Sequence, residues 1–310
     1  MNIFTLTLNP AFDIHACLSH FEKHAENLAT VTDRDAGGKG VNISRALYAL
    51  GHSGTAIVAV GKENGEEFCR ALAADGIAYH AFPLAGRIRE NLTLHEEGAP
   101  ETRISFGGLA ADESLLAAVE DYLTSCVAAG DVITLTGRLP NGLATNAATA
   151  FLWRMKQKGA SVVIDSRSFD LKEVVNARPF LIKPNEEEAC AYLGKEITSP
   201  KEAAEGALCL HRAGVENVII SLGKEGAVLA SAEGLFHAIP PKICAISTVG
   251  AGDSSIAGFL AALLEGKSKA EALRMAVACG TAACLQNGTR PPRAEDVARI
   301  LSAVEIKCLG

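Results

Sequence analysis

The chain lacks the basic surplus that is typical of nucleic-acid-binding proteins. Among its 310 residues, 29 Lys and Arg stand against 36 Asp and Glu, so the formal net charge is −7 at pH 7. A protein that binds duplex nucleic acid normally carries a basic stripe along one face. We therefore expect no nucleic-acid partner, although this charge is compatible with a local cationic pocket for a small anion.

Long apolar runs are also missing. The longest uncharged apolar stretch, Met275 to Gln286, is shorter than the roughly 20 residues that a membrane-spanning helix needs. The N-terminal sequence MNIFTLTLNP has neither the basic start nor the apolar core of a signal peptide, and it is typical of a strand. We expect a cytoplasmic protein with no membrane partner.

No two cysteines form a C-x-x-C pair. The nine cysteines are scattered and odd in number, a pattern that indicates neither a disulfide framework nor a zinc site. We predict that most of them are small buried apolar residues.

Strand-like and helix-like segments alternate along the chain. Short β-rich runs such as TAIVAV at Thr55 and NVIISLG at Asn217 are separated by segments with helical apolar spacing, such as ADESLLAAVEDYLTS. The composition, with 48% apolar and 21% charged residues, is that of a globular protein. The order of segments predicts βαβ units and an α/β fold with a mainly parallel sheet.

Two more polar segments, residues 11–35 and 77–106, interrupt this alternation. The second contains the extended-looking stretches ENLTLHEE and ETRISF, joined by the turn-like EGAP. We predict that both segments form a small β-sheet lid inserted into the α/β domain. Because no repeat or low-complexity linker divides the chain, residues 1–310 are expected to form a single domain.

The stretch TVGAGDSSIAGFL, from Thr248 to Leu260, places an acid behind a run of small residues and before an apolar helix. In doubly wound sheets, ligands gather where strands end and helices begin, because free N–H groups and the helix dipole attract anions. Asp253 is therefore either a helix N-cap or a general base beside a group of backbone N–H donors.

Three other glycine-rich or capped junctions can also be explained by a purely structural role. The turn DAGGKG with Lys39 departs from the P-loop spacing, so a structural turn with a solvated lysine explains it equally well. In LIKPNEEE, Asn185 and Glu188 fit a capping box, and a place for Glu188 near a metal-bound nucleotide is the rival interpretation. The stretch IISLGKEGAVLA is by itself only a hairpin.

Taken in order, the segments TLNPAFD, AGGKGVNISRAL, LIKPNEEE, IISLGKEGA and TVGAGDSSIAGFL resemble the ribokinase-like sugar kinases of the phosphofructokinase-B type. The resemblance extends from Ile3 to about Pro292. The opening segment and REN at residues 89–91 are most similar to the branch that contains 1-phosphofructokinases and tagatose-6-phosphate kinases. This resemblance implies a ribokinase-like three-layer sandwich with a mainly parallel central sheet and a small β-sheet lid.

The resemblance also implies an activity. It indicates a kinase that uses ATP and Mg²⁺ to phosphorylate a free hydroxymethyl group of a ketohexose monophosphate, with fructose 1-phosphate as the first candidate. Tagatose 6-phosphate and fructose 6-phosphate are the alternatives, and a sugar-phosphate or nucleotide sensor without turnover is a third. By analogy, a homodimer is expected to form through the lid.

The roles of individual residues follow from the same resemblance. Asp253 would be the catalytic base, beside backbone N–H groups of the run Gly250, Ala251 and Gly252. The sugar phosphate would meet Asp13, Gly37, Gly38, Lys39, Asn42, Arg89, Asn91, Arg103 and Arg138. The nucleotide would meet Lys183, Asn185, Ser221, Gly223, Gly226 and Asn287, with Glu188 organising Mg²⁺ through water.

The sequence departs from this pattern at three places. Arg138 stands in the stretch Gly-Arg-Leu-Pro where the branch usually has Gly-Ser-Leu-Pro. The stretches DSRSF at Asp165 and SFGGL at Ser105 differ as well. These departures affect the identity of the sugar and spare the segment around Asp253.

Overall fold

The computed structural model describes residues 1–309, in which strands and helices alternate as predicted. The strands are β1 Ile3–Thr7, β2 Ala11–Leu18, β3 Thr30–Gly37, β4 Thr55–Gly61, β5 Ala78–Leu84, β6 Arg89–Glu96, β7 Thr102–Ile104, β8 Val132–Thr136, β9 Ser161–Asp165, β10 Leu181–Ile182, β11 Asn217–Ser221, β12 Ala227–Ser231, β13 Gly234–Ile239 and β14 Glu305–Cys308. The α-helices are α1 Lys39–Ala49, α2 Gly65–Ala74, α3 Glu113–Cys126, α4 Thr145–Gln157, α5 Leu171–Ala177, α6 Glu186–Leu193, α7 Pro200–Arg212, α8 Ala251–Leu264, α9 Lys269–Ala283 and α10 Ala294–Ala303.

A ten-stranded sheet forms the middle layer, in the order β14-β13-β12-β11-β10-β9-β8-β1-β4-β5. The strands from β11 to β5 pair in parallel, and β12, β13 and β14 extend one edge in antiparallel fashion. The hairpin expected at IISLGKEGAVLA is the β11–β12 pair. The prediction of a mainly parallel α/β sheet is confirmed.

Helices cover both faces of this sheet because successive strand residues point to opposite sides. Ile133 and Val162 pack with α3, α4, α5 and α7 on one face. Their neighbours Val132 and Val163 pack with α1, α8, α9 and α10 on the other. Strands buried on both faces need nearly continuous apolar runs, which explains the sequence of the β-rich segments. The result is the three-layer sandwich that the resemblance implied.

The lid is a separate four-stranded sheet with the order β3-β2-β6-β7. Its extent differs from the predicted segments 11–35 and 77–106, because β5 pairs in parallel with β4 in the large sheet. The lid consists instead of residues 11–18, 30–37, 89–96 and 102–104. In β5, three of the seven residues are exposed and the other four are partly buried. An edge strand of this kind has a mixed composition, which made it resemble the strands of the lid.

The cysteines do not follow the prediction that most are buried. None of the nine, all within the described part of the chain, forms a disulfide, and only Cys279 is fully buried. Spacing alone does not separate an exposed lone cysteine from a buried one, so the prediction was wrong. The exposed ones are Cys17, Cys126, Cys209, Cys244 and Cys308.

Candidate active site

A cavity of about 650 Å³ lies between the lid and the carboxyl ends of the parallel strands. Side chains at the ends of β1, β8, β9 and β10 line it, as expected for a ligand site of an open α/β sheet. The predicted site residues that meet there are Asp13, Gly38, Lys39, Asn42, Arg89, Asn91, Arg103, Arg138, Lys183, Asn185, Glu188, Ser221, Gly250, Gly252 and Asp253.

Three nucleotide-site candidates lie elsewhere. Gly223 and Gly226 form the tight turn between β11 and β12, where their positive φ angles of 53° and 87° favour glycine. Asn287 lines a second cavity of about 380 Å³, together with His15 and Arg290. The structure therefore does not bring these three residues into the main cavity.

Asp253 lies in the first turn of α8 and is 5% exposed. The N-cap of this helix is Gly250, with a φ of 77°, a residue without a side chain that could cap the helix. The carboxylate instead accepts a 2.8 Å hydrogen bond at Oδ2 from Nδ2 of Asn42 in α1. Asp253 is thus not a helix cap, and its carboxylate faces the cavity.

The environment of Asp253 favours proton acceptance near neutral pH. Burial raises the pKa of its carboxyl to about 6, and the negative charge of Asp165 also raises it. The positive charges of Lys39 and Lys183 and the hydrogen bond from Asn42 act in the opposite direction. A buried carboxylate with such a pKa is suited to general base catalysis.

Lys39 is not a solvated turn lysine. Its Nζ donates a 2.9 Å hydrogen bond to Oδ2 of Asp165, which is 5% exposed at the end of β9. Burial would raise the pKa of Asp165, but the charges of Lys183 and Lys39 outweigh it and lower that pKa. Asp165 is therefore an ionised carboxylate that engages the lysine expected at the sugar phosphate.

The lid side of the cavity holds a second acid. Oδ1 of Asp13 accepts a 3.0 Å hydrogen bond from Nδ2 of Asn91 on the adjacent lid strand. Burial raises the pKa of Asp13, against the hydrogen bond from Asn91 and the charges of Arg103 and Arg89. A Cβ at Gly37 would overlap the Asp13 carboxylate, so a glycine is needed at that position. Asp13 can accept hydrogen bonds from a polyol.

Three arginines border the same side of the cavity, and none of them forms a salt bridge within residues 1–309. Arg89 donates hydrogen bonds to the carbonyl oxygens of Phe106 at 3.2 Å and Asn9 at 3.4 Å. Burial lowers the pKa of Arg89, Asp13 opposes that effect, and the charge of Arg138 adds to it. Within residues 1–309, Arg89, Arg103 and Arg138 form no salt bridge. Their charges are available to an anion.

The opposite side of the cavity is built on α6. Oδ1 of Asn185 accepts a 2.8 Å hydrogen bond from N–H of Glu188, and Oε2 of Glu188 accepts a 3.1 Å bond from N–H of Asn185. This is the predicted capping box. The other oxygen of Glu188, Oε1, accepts a 2.7 Å bond from Nε of Arg167. The capping role of Glu188 is confirmed, and its second oxygen faces a cation.

The start of α8 has the chemistry of a phosphate site. The N–H groups in the first turn of a helix lack intrahelical partners and attract anions. A Cβ at Gly252 would lie 2.9 Å from Nζ of Lys183, so the lysine ammonium lies directly against this helix start. Lys183 is 5% exposed. Together, the backbone and Lys183 fit the phosphates of a nucleotide.

Glu188, on the α6 side of the cavity, is the acid that the family resemblance assigned to Mg²⁺. The described residues contain no cluster of three or more His, Cys, Asp or Glu side chains that could hold a metal ion. Mg²⁺ keeps most of its water and binds through one or two carboxylates plus substrate phosphates. A single carboxylate beside a phosphate site therefore suits this ion.

Sequence reasoning missed several residues of the cavity, among them Asp165, Asn9 and Arg167. Asp165 was noted only as a departure from the family pattern, yet an acid at the carboxyl end of a buried strand is a signal for this edge. Asn9 donates a 3.1 Å hydrogen bond to the carbonyl of Leu139, and its buried Oδ1 has no partner among the described residues.

Comparisons with known proteins show the family of this chain. Residues 9–296 match the model of the pfkB family carbohydrate kinases. The chain is 33% identical to the 1-phosphofructokinase of Escherichia coli (strain K12), over 96% of this chain and 97% of that protein. It is 30% identical to the ATP-dependent 6-phosphofructokinase isozyme 2 of the same strain, over 97% and 98% of the two chains.

A solved structure shows the same architecture. The crystal structure of the phosphofructokinase-2 from Escherichia coli in complex with substrates and products has a TM-score of 0.91 and 29% identity to this chain. The match covers 98% of this chain and 99% of that one. No helix among residues 1–309 has the length and apolar character to cross a bilayer. With the family model matching nearly the whole chain, the protein belongs to the pfkB family of carbohydrate kinases.

Proposed function

We propose that the protein transfers the γ-phosphate of ATP to a free hydroxymethyl group of a ketohexose monophosphate, and that fructose 1-phosphate is converted to fructose 1,6-bisphosphate. One observation carries the proposal. The buried carboxylate of Asp253, at the phosphate-binding start of α8, opens into the same cavity as Asp13 and three arginines that form no salt bridge within residues 1–309.

Asp253 is the base in this reaction. With a pKa of about 6, its carboxyl is mostly ionised at neutral pH and accepts a proton from the attacking hydroxymethyl group. The hydrogen bond from Asn42 fixes the orientation of the carboxylate. A positioned base contributes about 10²–10⁴-fold to the rate, and charge neutralisation and positioning supply most of the remainder in phosphoryl transfer.

Lys183 and the first N–H groups of α8 hold the phosphates of the nucleotide. These donors surround the position where negative charge develops, which is the usual source of electrostatic stabilisation. Glu188 would hold Mg²⁺ through water, and the ion would neutralise further phosphate charge. Asp165 holds the Lys39 ammonium by a hydrogen bond. Against the opposing effect of burial, the charges of Asp165 and Asp253 raise the pKa of Lys39 and so keep it charged.

The arginines argue for an acceptor that already carries a phosphate. Like charges held together without a counter-charge destabilise a site, and a bound dianion removes that cost. An unphosphorylated sugar would leave Arg89, Arg103 and Arg138 with Asp13 as their nearby counter-charge, one carboxylate against three guanidinium groups. The similarity to 1-phosphofructokinases supports fructose 1-phosphate, and the similarity to 6-phosphofructokinase isozyme 2 makes fructose 6-phosphate the second candidate.

The decisive experiment measures ADP release with Mg-ATP and one acceptor at a time: fructose 1-phosphate, tagatose 6-phosphate, fructose 6-phosphate, or unphosphorylated fructose or ribose. We expect turnover of fructose 1-phosphate and a fall in kcat of about 10²–10⁴-fold in Asp253→Asn. The matched control is Asp121→Asn, an exposed acid on α3.

Preferred turnover of another phosphorylated ketohexose would overturn the choice of fructose 1-phosphate and keep the kinase. If no acceptor is turned over while the protein binds a sugar phosphate or nucleotide, the protein is a sensor. In that case the proposed reaction is wrong.

A further inference from the structure

Arg167 is a cavity residue to which the site described above gives no role. It follows β9 by two positions in the stretch DSRSF and lines the cavity beside Asp165, Lys183 and Asn185. Its side chain is 53% exposed. Nε donates a 2.7 Å hydrogen bond to Oε1 of Glu188, and Nη2 donates a 3.2 Å bond to Oε2 of Glu187.

The pairing with Glu188 conflicts with the metal role of this acid. Oε2 of Glu188 is held by the N–H of Asn185 in the capping box, and Oε1 is held by Arg167. A metal-bound water that approaches Glu188 therefore competes with the guanidinium for Oε1. The cap is the less replaceable of the two contacts, because it fixes the start of α6.

Release of Arg167 from Glu188 costs little. The Arg167 side chain is half exposed, and an ion pair with such a partner contributes little to stability in water. The released guanidinium already lies beside the phosphate-binding side of the cavity, close enough to Asp165 to lower the pKa of that acid. Its planar donor fork matches the oxygens of a phosphate, with hydrogen bonds stronger than those between neutral groups.

We propose that Arg167 is a nucleotide-binding residue that exchanges partners: it holds Glu188 in the free protein and turns to the nucleotide phosphates when Mg²⁺ engages Glu188. This inference rests on the proposed use of Mg-ATP. If it holds, removal of the Arg167 side chain weakens nucleotide binding and does not weaken metal binding at Glu188. Nucleotide binding loses a cationic contact, and Glu188 loses the cation that competes with the metal.

The test is direct binding without any sugar acceptor. Binding of the non-hydrolysable analogue AMP-PNP with Mg²⁺ is measured by titration calorimetry, and binding of Mn²⁺ alone is measured by the loss of its free-ion electron paramagnetic resonance signal. In Arg167→Gln we expect about tenfold weaker binding of Mg-AMP-PNP, with Mn²⁺ bound at least as tightly as by the wild type.

The chain offers a matched control for this variant. Arg154 pairs with Glu120 on the surface, where the two side chains are 50% and 18% exposed, against 53% and 18% for Arg167 and Glu188. Arg154→Gln therefore removes a comparable surface ion pair away from the cavity, and we expect it to bind both probes like the wild type.

Two results would overturn the inference alone. Equal affinity of wild type and Arg167→Gln for Mg-AMP-PNP would show that Arg167 does not contact the nucleotide. Weaker binding of both probes would show that Arg167 only holds Glu188 in place, without an exchange. A wild-type protein that does not bind Mg-AMP-PNP would overturn the proposed function and this inference together.

Discussion

Asn42 donates a 2.8 Å hydrogen bond to Oδ2 of Asp253, and this bond joins the first turns of two helices, α1 and α8. The Asn42 amide is 8% exposed, and its Oδ1 has no hydrogen-bond partner among residues 1–309. An amide donor favours the ionised form of a carboxylate. The bond thus orients the base beside the cavity that both residues line.

The pKa of Asp253 predicts that kcat/KM decreases on the acidic side of its pH profile, a region called the acid limb below. Because the base acts in its ionised form, kcat/KM is expected to fall tenfold per pH unit below about pH 6. Lys39 exerts the largest charge effect that lowers this pKa. Its replacement in Lys39→Gln is therefore expected to shift the limb to higher pH.

The measurement for this prediction is kcat/KM of both proteins between pH 4.5 and 8 in one mixed buffer, a range set about the pKa of about 6. Lys158→Gln serves as the control, since Lys158 lies on the surface at the end of α4 and donates to Thr124. A limb that stays in place in Lys39→Gln, or moves to lower pH, would contradict the role of Lys39.

The local sequence was sufficient for features that depend on periodicity and caps. The capping box of Asn185 and Glu188, the hairpin after β11 and the alternation of strands and helices all follow from short-range patterns. The boundary of the lid depends instead on which sheet β5 joins. That choice is a long-range pairing, and an exposed edge strand shows no distinct local signal.

The sequence predicted many of the residues that line the site, but it did not predict which of them pair with one another. The family pattern brought Asp253, Asp13 and Arg89 to one cavity, as observed. It did not foresee that Lys39 binds Asp165, because the two residues are 126 positions apart. Charge pairs of this kind depend on three-dimensional proximity, so a single sequence gives the charges and not the pairing.

Gly37 is predicted to be indispensable for the position of Asp13. A Cβ at this site overlaps the Asp13 carboxylate and lies 3.4 Å from the carbonyl of Ala11, so Gly37→Ala must displace the acid or the strand. We expect a higher KM for the sugar phosphate and an unchanged KM for ATP, measured by steady-state kinetics.

Gly107→Ala is the control for this change, because a Cβ there meets nothing within 4 Å. We expect it to behave like the wild type. An unchanged sugar KM in Gly37→Ala would show that the Asp13 carboxylate makes no contact that matters for the acceptor.

The lid is expected to join two copies of the chain. Its outer strands β3 and β7 are edge strands, which leave backbone groups open to pairing. Val31 and Ile104 on these strands are 61% and 39% exposed. Light scattering is expected to give the mass of a homodimer, and Ile104→Ser is expected to shift it towards the monomer.

Trp153→Ser is the comparison for this variant, since Trp153 is 38% exposed on α4 and lies outside the lid. It should leave the mass unchanged. A monomeric mass for the wild type at micromolar concentration would contradict the expected dimer.

Arg138 is predicted to bind the phosphate that the acceptor already carries. It lies in the cavity near Arg89 and forms no salt bridge within the described residues, so its charge has no other partner. Loss of a charge-assisted hydrogen bond costs about 1.5–3 kcal/mol. In Arg138→Ser the KM for the sugar phosphate is therefore expected to rise about 10- to 150-fold, while the KM for ATP stays the same.

The comparison that isolates this charge uses two acceptors and one control variant. With unphosphorylated fructose, Arg138→Ser should match the wild type, because that acceptor lacks the group that Arg138 contacts. Arg87→Ser is the control, since Arg87 is 54% exposed and pairs with Glu90. If Arg138→Ser raises the KM for both acceptors equally, Arg138 shapes the cavity and does not bind the phosphate. A contact to the phosphate must affect the phosphorylated acceptor alone.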